Sequence, residues 1–126
     1  AAFAAADVTV TDALDGLAMD LAPAYGSVPG LGRYRRSVHL TDTGLTVHDE
    51  TDYLGTVALT LMSVEKPAVD GDTVAFGALA AAAVTGADKI VTEAVPITDP
   101  RLRQAWPDTL YRTRIYFTRQ LSLVIQ

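Results

Sequence analysis

At 126 residues and 49% hydrophobic, the chain carries enough apolar mass for one substantial core and too little for two, so a single domain over residues 1–126 is expected. Fifteen acidic side chains against ten basic ones, a net charge of −5, exclude general nucleic-acid binding, which needs a broad basic surface, and leave room only for a local anion site. The absence of cysteine excludes disulfides and thiolate metal sites without fixing the compartment.

The opening AAFAAADV is too short for a signal-peptide core and has no basic flank, and no apolar run reaches membrane-spanning length, so neither export signal nor membrane partner is expected from these residues. The chain begins without Met and enters a strand-like pattern almost at once, the form of a piece of a larger protein. Residues 33–36 then place three arginines in four positions. In RYRRSVHL, Tyr34, Arg36, Val38 and Leu40 share one face of a strand and Arg33, Arg35, Ser37 and His39 the other. In LTVHDE the same alternation sets Leu45, Val47 and Asp49 against Thr46, His48 and Glu50. TDTG between them predicts a four-residue loop on a type I turn, with Gly44 free to take a positive φ, and therefore a hairpin.

Matching the apolar faces puts Leu40 opposite Leu45, Val38 opposite Val47, Arg36 opposite Asp49 and Arg35 opposite Glu50. Two of the three arginines are thus expected to face carboxylates, with Arg36–Asp49 on the apolar side the costlier pair to break. TVALTLMSV (56–64), apolar at nearly every position, predicts a central strand covered on both sides. VDGDTVAF carries an Asp70-Gly71 hairpin turn, and ALAAAAV (78–84), bounded by Gly77 and Thr85-Gly86, reads as a strand despite its alanines. KIVTEAVPI and LYRTRIYFT read as two more, the latter with Leu110, Arg112, Arg114 and Tyr116 on one face and Tyr111, Thr113, Ile115 and Phe117 on the other; LSLVIQ closes the chain. Turn signals roughly every ten residues and the near absence of helical periodicity predict an all-β antiparallel two-sheet sandwich.

Four landmarks in order, DLAPAY (20–25), RYRRSVHL, GLTVHDE and TDPRLRQAWPDTLYRTRIYFT (98–118), resemble the C-terminal β-sandwich of the heparinase II/III-like family over most of the chain. The resemblance implies an accessory domain of a bacterial polysaccharide lyase, periplasmic or secreted, whose α/α toroid lies N-terminal to it and cleaves uronic-acid-containing polysaccharides such as glycosaminoglycans or alginate by β-elimination. It implies partners in that toroid and in an acidic polysaccharide, and an inactive fragment, because most of the catalytic groups belong to the toroid. The family's heparin-cleaving type holds a metal through His and Asp; with two histidines that map onto no such position, neither metal nor cofactor is expected here.

Each candidate residue has a functional and a plain reading. His39, sharing a face with Arg33 and Arg35, could act as acid or base beside two carboxylate clamps, or sit on a solvated face balanced by Glu50. Tyr25 could reach a sugar or pack in its loop, and His48, opposite Ser37, reads as an exposed spectator. Trp106 could be a sugar-stacking platform, but with Pro107 after it and Tyr111 near, it reads as an anchor over one end of the core. Arg112 and Arg114, interleaved with aromatics, read as stacked or ion-paired. No nucleophile elbow, zinc helix, P-loop, dinucleotide fingerprint or calcium loop occurs. A free-standing carbohydrate-binding module is the alternative, and an adhesive immunoglobulin-like module a further one that would leave the arginine face fully salt-paired.

Overall fold

The expected hairpin forms around the register that the apolar pattern requires. In the computed structural model, which describes residues 3–126, strand β3 (Tyr34–Thr41) pairs antiparallel with β4 (Gly44–Thr51), with Leu40 opposite Leu45, Val38 opposite Val47, Arg36 opposite Asp49, and Arg35 opposite Glu50. The connection is tighter than expected. Thr41 pairs with Gly44, leaving only Asp42 and Thr43 in the loop. Gly44 is required for a different reason from the one anticipated, since a side chain there would run into the backbone carbonyl of Ile125.

Two long strands organise the rest. β8 (Ala80–Pro96) and β9 (Thr109–Ile125), seventeen residues each, form a bent hairpin. The stretches read as separate strands on either side of Thr85-Gly86 are one strand. Gly86 is not a terminator: it carries the strand through a register shift against β9 at φ 92°, where a Cβ would meet the Gln120 carbonyl at 2.8 Å. β9 likewise merges LYRTRIYFT with LSLVIQ through Arg119 at φ 72°.

The second half of β9 lies between β4 and the first half of β8, and its first half between β5 (Val57–Ser63) and the second half of β8. β1 (Ala6–Val10) and β2 (Gly16–Asp20) extend the sheet beyond β3; β7 (Thr73–Phe76) and β6 (Pro67–Asp70) extend it beyond β8, their hairpin turning at Gly71 and Asp72. Among the described residues all nine strands are antiparallel and belong to one hydrogen-bonded sheet. The all-β antiparallel class is therefore as expected. In place of two hydrogen-bonded sheets, the chain bends a single one at Gly86 and Arg119. β5 is also not central: among the described residues it pairs with β9 alone, and its other edge is open.

The core collects the inward alternation of both halves. Ile115 and Phe117 from the first half of β9, Leu121 and Leu123 from the second, Leu59, Val74, Val84 and Tyr34 are all buried. Tyr34 meets Phe117 edge to face at 6.4 Å. Thr113 is buried among them with no hydrogen-bond partner for its hydroxyl among the described residues.

Candidate functional site

The three clustered arginines go to two different environments. Arg36 lies on the apolar face, where Nε and Nη2 each donate to one oxygen of Asp49 at 2.7 Å, and the Tyr34 hydroxyl donates to the same carboxylate at 2.5 Å. Asp49 is fully buried, so three charge-assisted or charge-directed bonds replace its lost hydration. Burial and the neighbouring Asp49 push the Tyr34 phenol above its ordinary range, and the hydrogen bond to Asp49 raises Arg36 further still. Both therefore hold one protonation state across physiological pH.

The DLAPAY segment joins this network. Asp20 Oδ1 accepts from the backbone N–H groups of Ala22 and Tyr34, 3.0 Å each, which fixes a 3-10 turn at Ala22–Tyr25 beside the start of β3. Tyr25 closes that turn with its ring stacked on Tyr34 at 6.2 Å. Three of the four landmarks, through Asp20, Tyr25, Tyr34, Arg36 and Asp49, thus meet in one structural cluster.

The opposite face of β3 and β4 holds the candidate site. Arg35 stands between Asp20 and Glu50 in the register. The expected Arg35–Glu50 ion pair nevertheless does not form. Glu50 is bound at 2.5 Å by Arg33, its diagonal neighbour, and Asp20 is turned to backbone N–H groups, so Arg35 has no carboxylate within 4 Å among the described residues. The Arg33 backbone is tied down: its N–H donates to Asp52 Oδ1 at 3.0 Å, and its carbonyl accepts from the Thr51 hydroxyl at 2.7 Å. The Arg33 N–H, with that of Gly32, holds the Asp52 carboxyl below its ordinary pKa.

Beside Arg33 opens a polar groove of about 480 Å³ lined by Arg33, Glu50, Thr51, Asp52, Arg119 and Gln120. Arg119, which the sequence did not mark, enters from the bend of β9. It too has no carboxylate partner among the described residues, and its left-handed backbone is one that non-glycine residues rarely adopt. Next along the face, the His48 ring accepts from or donates to the Ser122 hydroxyl at 2.8 Å through Nδ1, with Nε2 at 3.9 Å from Glu50. His48 is thus a tethered ring rather than a spectator. The Ser122–His48–Glu50 line lacks the means for acyl transfer, because Ser122 lies mid-ladder between β4 and β8, where backbone N–H groups are committed to the sheet and offer no oxyanion site.

The remaining candidates are dispersed. His39 is exposed and neighbours Asp15, whose carboxyl sits below its ordinary range chiefly through a hydrogen bond from Thr11, with the His39 charge a smaller cause. From Arg33 it is six positions along the strand, on the order of 20 Å, so no small ligand meets both. Tyr25 packs on the Tyr34 side of the sheet, away from Arg33 and Arg35, in a separate groove with Tyr53. Trp106 does not anchor the core. It lies in the 97–108 connection at the tip of the β8–β9 hairpin and is 49% exposed. Arg112 and Arg114 are ion-paired as read, both to Glu93, at 2.8 and 3.3 Å. Among the described residues no group of three or more His, Asp or Glu side chains is arranged to hold a metal, and no helix is long and apolar enough to cross a membrane. No protein-family model matches this chain, and neither does any curated protein.

Proposed function

We propose that this domain presents a carboxylate- or sulfate-binding surface to an acidic polysaccharide, as the accessory β-domain of a heparinase II/III-like lyase whose bent sheet corresponds to that family's sandwich. The observation that carries the reading is the groove shared by Arg33 and Arg119, with Arg35 beside it. In a chain of net charge −5, two of these three guanidinium groups have no carboxylate partner among the described residues, and the third is held on an immobilised backbone. Guanidinium forks suit carboxylate and sulfate geometry, and a fixed backbone lowers the ordering cost of binding. Three of the four landmark segments that suggest the family meet around Asp49, and this convergence supports the reading.

The domain supplies binding and positioning in this reading, not the β-elimination itself. Migration through gels containing alginate, heparan sulfate or neutral dextran tests it: the two acidic polymers should retard the domain, dextran should not, and the Arg35→Ala/Arg119→Ala variant should lose most of the retardation. The same protein should release no unsaturated uronate from either acidic polymer, as followed by ultraviolet absorbance. Equal retardation by dextran would favour the second reading, a neutral-sugar module, for which the groove of Tyr25, Tyr34 and Tyr53 is the specific feature.

A further inference from the structure

Among the described residues the sheet leaves four edges open, and three are protected against pairing with another strand. β1 carries Asp7 at φ 50° and an irregular register against β2. β6 has four residues, begins with Pro67 and ends with Asp70. The second half of β8, beyond the reach of β7, has its register with β9 interrupted twice near Gly86 and bears Lys89, Glu93 and Pro96. Charges, proline, bulges and brevity are the devices that keep an edge from acquiring a partner.

β5 has none of them. Its seven residues, VALTLMS, contain no charge, proline or glycine, and its register with β9 runs unbroken from Val57 to Ser63. At each end the edge borders an apolar groove. One, of about 220 Å³, lies by Val57 and Ala58 and is walled by Tyr25, Val28 and Tyr53; the other, of about 300 Å³, lies by Leu61 and Met62 and is walled by Val64, Phe76 and Leu79. Leu79 is 83% exposed beside it, and Met62 and Val64 are half exposed.

We propose that the β5 edge is a dimerisation surface for a second copy of this chain, joined as antiparallel β5–β5′ across a twofold axis near Thr60. Self-complementarity selects this occupant. Antiparallel exchange sets Leu59 against Leu61 and Ala58 against Met62 of the partner, and no pair of like charges meets, although each chain carries −5 overall. The same twofold axis brings the Met62–Val64–Leu79 end of one copy to the Tyr25–Val28–Tyr53 groove of the other, so the exposed apolar side chains at one end of the edge meet the recess at the other. A near-continuous apolar strand, which sequence patterning reads as central, then becomes central in the dimer.

Sedimentation equilibrium across the micromolar range tests this with the full 126-residue chain. The wild type should show a reversible monomer–dimer equilibrium. Thr60→Lys and Ala58→Lys, both at exposed positions of β5, should each weaken the association by about tenfold or more by adding charge to the paired edge. Thr92→Lys, on the open edge of β8, should leave it unchanged. Circular dichroism melts identify any variant that fails to fold, and amide exchange of the wild type supplies an independent reading: protection in β5 should rise with concentration. A wild type that stays monomeric throughout, a dimer that tolerates both β5 lysines, or one broken by Thr92→Lys instead would overturn the proposal.

Discussion

Arg35 and Arg36 differ by one position and by nearly everything that determines what an arginine contributes. The strand's period of two sends Arg36 to a buried carboxylate and Arg35 to a surface where both neighbouring acids are otherwise engaged. Arg36→Ala leaves Asp49 buried with only Tyr34 as a partner and should cost about 3 kcal/mol, whereas Arg35→Ala should stay within about 0.5 kcal/mol. Urea titrations of the two variants check the contrast, and equal losses would contradict the assignment of faces. Asp52 offers a pH-dependent test. Its folded-state pKa is depressed below 3.8 by the Arg33 and Gly32 N–H groups, so its contribution to stability is present above that value and is lost as pH falls through the lower folded one. Asp52→Asn should therefore be less stable than wild type at neutral pH, and the gap should close in acid. A gap that persists when both are titrated below the folded pKa would show that the carboxylate charge is not what matters there.

At the scale of elements, legibility followed the strength of local pattern. The β3–β4 register was readable because Arg36, Val38 and Leu40 each had an opposite-charge or apolar counterpart at the matching position, and a one-residue slip would have broken every one of these matches. The partner of Glu50 was not readable, because register fixes Cα positions and leaves a long arginine to choose between direct and diagonal neighbours. Gly86 was taken as a boundary because glycine can end a strand as well as carry it through an irregularity; what requires glycine there is the Gln120 carbonyl, thirty-four positions away. β5 looked central because its apolar run is continuous, and nothing within the run states which neighbours it acquires. Thr113 is a residue that the alternation placed on the inner face of β9 but whose hydroxyl finds no partner there. Replacing it with Val should raise stability by about 1 kcal/mol by removing an unsatisfied buried polar group, measurable as a higher denaturation midpoint. A loss would mean that the hydroxyl is satisfied in solution.

For the whole molecule, the sequence made the antiparallel all-β class and the Arg36–Asp49 pair legible, while the candidate site was legible only in part. Arg33 and Arg35 were visible as a cluster, but Arg119 comes to the same groove through the bend of β9, from more than eighty positions away in the chain, a placement that no local pattern encodes. Tyr25 packs on the Tyr34 side of the sheet and His39 lies six positions along β3 from Arg33, so the residues read as candidate substrate contacts do not form one site. The central claim is that the Arg33–Arg35–Arg119 face, and no other, takes an acidic polymer. Titrating isotope-labelled protein with a uronate or sulfated oligosaccharide and following the amide resonances tests this most directly. The account predicts shifts concentrated at Arg33, Arg35, Glu50, Asp52, Arg119 and Gln120, weakened by added salt as exposed charge contacts are. Shifts centred instead on Tyr25, Tyr34 and Tyr53, or none at saturating oligosaccharide, would contradict it.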